Sequence, residues 1–373
     1  MNKIKILMVL GSTNRGGAQI FILNLLKNMD LSRFQVDFAV NFDENYGGIG
    51  TELKAMGCHI YKLPYFRVYN YIHFKRSWQL FLKEHQYDIV HGHSTNSASV
   101  YLKVAKKMGC ITIAHCHSAG FRGNKLQQLF KIIFARKIRT AAEYWFACSD
   151  IAAQHLYGDG YKLYDKYYNI PNAIIANYYL YNNEVAKKIR TQFDIKEDVF
   201  LCGHVGSFTA PKNHAFLLKV FKEILQRVPN AKLICCGAGI LQEQVKENAL
   251  SMGILEHIIF TGVVKNVNEF MMAMDLLIFP SLFEGFPVTI IESEATGLPV
   301  LMSDIITDEV DLTDCIHRMS LDSSPADWAN KACSIQVGNR VSYHKIIRDS
   351  KYNMSNSVNT VISLYDKMIT NNY

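Results

Sequence analysis

Short apolar runs alternate with segments of helical period along this chain, and the pattern occurs twice. Residues 4–10, 36–42, 59–63, 88–92, 111–115 and 145–148 read as short buried strands. Helical stretches such as 18–28 and 101–108 lie between them. A second series follows at 201–206, 232–236, 257–260, 276–280 and 300–303. Apolar runs without polar alternation are typical of strands buried on both faces, and strand–helix alternation builds parallel sheets covered by helices. Two series therefore predict an α/β chain of two doubly wound, Rossmann-like domains, each binding ligand near the carboxyl ends of its strands. A length of 373 residues agrees, because it exceeds what one core usually supports.

The boundary is expected at Ile170-Pro171-Asn172-Ala173, after a polar, tyrosine-rich stretch. That gives domains 1–170 and 171–350. The tail 351–373 reads as one helix with apolar Val358, Val361, Ile362, Leu364, Tyr365 and Met368.

Composition narrows the function classes. Hydrophobic content of 49% with 20% charged residues describes a folded, soluble chain. The start, Met-Asn-Lys-Ile-Lys-Ile-Leu-Met-Val-Leu-Gly, has too short an apolar run for a secretory signal, and no stretch reaches membrane-spanning length. Nine cysteines without paired spacing point to a reduced, cytoplasmic setting, with Cys235-Cys236 as small buried hydrophobes. The net charge of +7 suits phosphorylated small molecules or anionic lipid. No nucleic-acid-binding signature accompanies it, and no nucleic-acid partner is expected.

The chemistry concentrates in Pro280-Ser-Leu-Phe-Glu-Gly-Phe-Pro-Val-Thr-Ile-Ile-Glu-Ser-Glu-Ala-Thr-Gly-Leu-Pro-Val300. An apolar strand leads to a sharp turn at Gly285. Pro287 suits the first helical position, and Gly297 with Pro299 reads as the helix stop. On a single helix, Glu284 and Glu292 would stand roughly 12 Å apart. The reading adopted puts Glu284 in the loop and Glu292 on the helix, with backbone N–H groups between them facing an anion.

This segment closely resembles the signature of retaining, nucleotide-sugar-dependent glycosyltransferases of family 4, which have the GT-B fold. The resemblance runs from Gly16 to about Asp304 and implies an active site in the cleft between the two domains. It also implies that the last helix packs back onto the N-terminal domain. Glu284 is then expected at the donor sugar hydroxyls and Glu292 at the nucleotide ribose, with Gly285, Phe286, Pro287 and Val288 along the donor diphosphate.

Other segments fall in register with that family. Asn14-Arg-Gly-Gly-Ala-Gln19 places Gly16 and Gly17 at a strand–helix turn where backbone can approach a diphosphate, with Gln19 where the family usually has Glu. Val205-Gly-Ser-Phe-Thr-Ala-Pro-Lys-Asn-His214 matches the family at Lys212 and Asn213, but Ser207 replaces its phosphate-binding arginine. Arg15 or Arg122 could substitute for that cation. Gly237-Ala-Gly239 and the loop through Val264 match places where the family holds the nucleobase, and Asp275 reads as structural.

His117 matches a family histidine near the donor sugar, while His91 and His115 read as core or supporting residues. His91, His93, His115 and His117 lie at two strand ends, which raises a metal reading. No Asp or Glu completes a ligand set, and the family needs no catalytic metal, so no cofactor is expected beyond the nucleotide diphosphate sugar.

The basic amphipathic segment 125–139 and the basic, aromatic stretch 61–78 suit the inner membrane face or a lipid-linked acceptor. The resemblance thus implies transfer of a hexose or N-acetylhexosamine to a saccharide acceptor in capsule or exopolysaccharide synthesis. A glycosyltransferase-like binding subunit impaired by Ser207, and a GT-B-type nucleotide-sugar epimerase, stay open as alternatives.

Overall fold

The computed structural model describes residues 3–14, 16–41, 48–117 and 136–371. Two compact units divide the chain.

The first unit takes residues 1–173 and 354–373. Its strands are β1 (Ile4–Leu10), β2 (Phe34–Val40), β3 (Ile60–Lys62), β4 (Ile89–Gly92), β5 (Ile111–Cys116), β6 (Tyr144–Ala147) and β7 (Tyr167–Asn169). They form one parallel sheet in the order β3-β2-β1-β4-β5-β6-β7. Ile6, Leu7, Met8, Val9 and Leu10 are all buried, as a central strand covered on both faces requires. Helix Met354–Thr370 belongs to this unit and buries Val358, Val361, Leu364, Tyr365 and Met368, with Ile362 half-buried. Asp366 on that helix pairs with Arg33 at 2.8 Å.

The second unit spans 174–353. Here β8 (Leu201–Val205), β9 (Lys232–Cys236), β10 (Ile258–Gly262), β11 (Leu276–Phe279), β12 (Val300–Ser303) and β13 (Ile316–Met319) form a parallel sheet ordered β10-β9-β8-β11-β12-β13. Trp328, Phe221, Leu217 and Ile278 belong to the core on one face. Buried Arg340 donates to the carbonyls of Met271, Met272, Met274 and Thr296, binding helix Arg340–Asp349 to the ends of two others. Asp275 is structural, bound by Arg190 and by the Leu201 amide at 2.7 Å each.

Two strands escaped the sequence reading, β7 and β13. Each is an edge strand, and Tyr-Tyr-Asn and Ile-His-Arg-Met are half-buried instead of continuously apolar. An edge strand is spared the burial that gives inner strands their signature. The helix expected at 101–108 begins earlier, at Thr95. Thr95-Asn-Ser-Ala-Ser has poor intrinsic helix propensity, so burial of Ala98, Tyr101, Leu102 and Ala105 decides the outcome. The second strand runs Phe34–Val40 instead of 36–42. Asn41 turns out of it to bind the carbonyls of Leu63 and Pro64.

Every cysteine is a free thiol, and Cys333 alone is exposed. Among the described residues no helix is long and apolar enough to cross a membrane.

Candidate functional site

In a doubly wound sheet the strand order reverses at a switch point, and loops leaving the strands there open a crevice. In the second unit that point lies between β8 and β11. The loop after β8 carries Ser207, Lys212 and Asn213, and the loop after β11 carries Glu284 to Pro287.

These two loops meet. Lys212 Nζ lies 2.7 Å from Glu284 Oε1, with side chains only 16% and 14% exposed. The ammonium also stands 4.4 Å from the centre of the Phe279 ring, a cation–π arrangement. Asn213 caps helix His214–Arg227 in a left-handed conformation (φ 55°), which asparagine tolerates, and so turns the chain immediately after Lys212. Ser207 is exposed, its hydroxyl 3.3 Å from that of Thr209.

Glu284 sits in the loop and Glu292 on helix Val288–Thr296. Pro287 is the residue before the helix, not its first, and no side chain caps that N-terminus. Gly285 is absent from the glycines with positive φ, so its turn needs no left-handed backbone. Gly297 ends the helix at φ 63°, and a Cβ there would come within 2.4 Å of the Arg340 carbonyl oxygen. Val288 is half-buried, and Phe286 stacks on Tyr352 with ring centres 5.5 Å apart.

Glu292 accepts a 2.6 Å hydrogen bond from the Tyr179 hydroxyl. Burial raises the pKa of its carboxyl, and the Tyr179 bond opposes that rise. Sequence reasoning missed Tyr179. It lies in a short 3-10 turn, Ala176–Tyr179, where one tyrosine among several carries no local signal.

Gly237 and Gly239 have a packing reason of their own. A Cβ on Gly237 would meet Gly206 O at 2.0 Å, and one on Gly239 would meet Phe208 O at 2.5 Å. Bare backbone therefore brings the loop after β9 against the loop after β8. Val264 is half-buried in the loop after β10, two strands away from β8. His204 and His214, also missed, pack beside Lys212 with rings 4.7 Å apart, and burial pushes them down to about 3 and about 4.

The first unit's switch point lies between β1 and β4. Gly16 is the extended N-cap of helix Gly17–Lys27, and Gln19 reaches back to the Ser12 carbonyl. A Cβ on Gly17 would meet nothing within 4 Å. Arg15, Arg122 and most of the basic segment 125–139 lie outside the described residues.

His117, just after β5, has both ring nitrogens engaged. Nδ1 donates to Asn172 Oδ1 at 3.1 Å, and Nε2 lies 2.8 Å from His93 Nδ1. Burial pushes its imidazole down to about 4, although the Asn172 bond works the other way. His91 and His115 are buried, with His91 Nδ1 2.7 Å from the Tyr365 hydroxyl and Nε2 3.2 Å from His115 Nδ1. Burial, then neighbouring imidazoles, holds His91, His93 and His115 well below the ordinary histidine range.

The chain is 28% identical over 373 residues to EpsF of Bacillus subtilis, a protein named as a glycosyltransferase, covering 97% of this chain and 96% of that one. It is 25% identical over 338 residues to the Staphylococcus aureus capsular polysaccharide biosynthesis glycosyltransferase CapH, covering 88% and 89%. It is 26% identical over 241 residues to the Escherichia coli UDP-Gal:alpha-D-GlcNAc-diphosphoundecaprenol alpha-1,3-galactosyltransferase, covering 60% and 59%. Among solved structures, Anabaena HepE in complex with UDP superposes with a TM-score of 0.78 at 15% identity, over 98% of this chain and 100% of that one. That likeness establishes the fold, two Rossmann-like sheets of the GT-B class. The family model "Glycosyltransferase Family 4" matches residues 15–177 and "Glycosyl transferases group 1" matches 199–335, and the chain belongs to these glycosyltransferases.

Proposed function

We propose that the chain is a retaining glycosyltransferase of surface polysaccharide synthesis. It moves a hexose or N-acetylhexosamine from a nucleotide diphosphate sugar to a saccharide acceptor carried on a lipid. The Lys212–Glu284 pair at the second sheet's switch point carries this reading. A partly buried cation held by one carboxylate is set to transfer its bonds to a diphosphate, where charge develops as the sugar leaves. Glu284, released, is then free for the sugar hydroxyls. Glu292, held by Tyr179, is assigned to the ribose, and the uncapped helix start at Val288 supplies a positive end for phosphate oxygens.

The relatives named above support the acceptor class, one by acting on a diphosphoundecaprenol-linked sugar and one by its part in capsule synthesis. A peripheral contact with the inner membrane face fits the exposed Val68, Tyr69 and Ile72 beside exposed Arg67 and Arg76. Gly16, Gly17 and His117 of the first unit are assigned to the donor side.

A thermal-shift screen of UDP, GDP, ADP, CMP and dTDP on wild type and Glu292→Ala tests the donor site. Saturation at about a hundred times the dissociation constant adds about 2.7 kcal/mol of stability. A shift with one nucleotide, lost in the variant, supports the assignment, and silence with all five overturns it. The anomeric configuration of the product, read by NMR, tests retention.

A further inference from the structure

The histidines at the ends of β4 and β5 form a cluster that sugar transfer does not explain. One ring nitrogen from each of His91, His93 and His115 lies within 4.8 Å of the others. The sequence reading set metal aside for lack of a carboxylate, but an all-imidazole set suits borderline transition metals.

The hydrogen bonds fix the tautomers of His117 and His93. Asn172 Oδ1 accepts from His117 Nδ1–H, so His117 Nε2 carries a lone pair. That lone pair accepts from His93 Nδ1–H, which leaves His93 Nε2 bare. His93 Nε2 is buried and has no hydrogen-bond partner. A ligating histidine characteristically donates its other N–H to a partner in this manner.

His91 Nε2 and His115 Nδ1 face each other at 3.2 Å. That is close to the roughly 3.4 Å edge between ligands of a tetrahedral ion with bonds of about 2.1 Å. His91 Nδ1–H can donate to the Tyr365 hydroxyl, and His115 can carry its proton on Nε2. In that tautomer both facing nitrogens are lone pairs, and a cation between them removes their repulsion. Residues His91 and His115 are 1% and 0% exposed, and the rings of Phe21 and Phe146 pack against His115.

We propose that His91, His93 and His115 bind one divalent transition-metal ion of the Zn²⁺ class, with Asn172 acting through His117 to orient His93. The proposal shares His117 with the donor-side assignment made above, but it does not rest on the residues assigned in the second unit.

The test uses the full chain stripped with EDTA and titrated with Co²⁺, followed by Zn²⁺ displacement. One equivalent of Co²⁺ should bind, with visible d–d bands and no thiolate charge-transfer band, and the melting temperature should rise. Asn172→Ala should weaken binding about tenfold, and His93→Gln should abolish it, each variant's fold being checked by circular dichroism. No uptake by the wild type overturns the site without recourse to any variant. A thiolate band, or undiminished binding in a folded His93→Gln, places the ion elsewhere and equally overturns it.

Discussion

Lys212 and Glu284 stand 72 residues apart in sequence, and their charged atoms lie 2.7 Å apart. Each satisfies the other, so under the proposed function a donor diphosphate competes with a carboxylate for the ammonium. Lys212→Ala should abolish the nucleotide-induced thermal shift and lower kcat/KM roughly tenfold to a hundredfold, given about 1.5–3 kcal/mol for a charge-assisted bond. Glu284→Gln should act in opposite directions on the two ligands. It releases the cation, so nucleotide diphosphate binds more tightly, while transfer slows for want of the sugar contact. Calorimetry with the nucleotide beside steady-state transfer separates the two, and weaker nucleotide binding in Glu284→Gln would falsify the competition.

Ser207 occupies the position where the family pattern has its second phosphate cation. It is exposed, and its hydroxyl makes a local contact with Thr209. Nothing in that contact should resist a longer side chain reaching over the crevice. Ser207→Arg is expected to lower the donor KM several-fold, with a steeper salt dependence of binding from the added charge. An unchanged KM at every ionic strength would mean that the loop directs position 207 away from the diphosphate.

The Tyr179–Glu292 bond offers a finer test of the ribose assignment. Tyr179→Phe removes the group that opposes the rise in the Glu292 carboxyl pKa. The carboxyl should then titrate higher, and nucleotide affinity should fall at the acid end of the range before it falls at neutral pH. Glu292→Ala should lose affinity at every pH. Identical pH profiles for wild type and Tyr179→Phe would show that the phenol does not tune Glu292.

Much of this fold could be read from the chain because inner parallel strands are apolar throughout. The runs 4–10, 232–236 and 300–303 coincide with β1, β9 and β12. The strand–loop–helix around Glu284 and Glu292 was legible for a related reason, since proline and glycine mark its turns. Contacts between distant loops were not legible. The Tyr179–Glu292 bond joins a 3-10 turn to a helix 113 residues away, and the tautomer chain from Asn172 to His93 depends on register across strands. No local pattern encodes such a meeting. Edge strands β7 and β13 failed because they are half-buried and carry polar residues, whereas edge strands β3 and β10 were legible as the runs 59–63 and 257–260.

Glu294, two residues beyond Glu292, carries the last prediction. Its residue is wholly buried, and Oε1 accepts from the amides of Leu312 and Thr313 and the Thr313 hydroxyl. Oε2 has no partner. Burial outweighs those bonds and pushes the carboxyl from its ordinary 4.5 up to about 8. The folded protein therefore holds a proton there that the unfolded chain releases above its own lower pKa. The associated stability is fully present at low pH, falls as pH rises from about 4.5 toward 8, and is flat above that. Glu294→Gln keeps an acceptor oxygen for the three donors and cannot ionise. Wild type should lose stability relative to this variant as pH rises from about 5 to about 8.5. Urea unfolding of both proteins across that window checks the claim, and parallel stability curves would show that Glu294 is not the group that titrates.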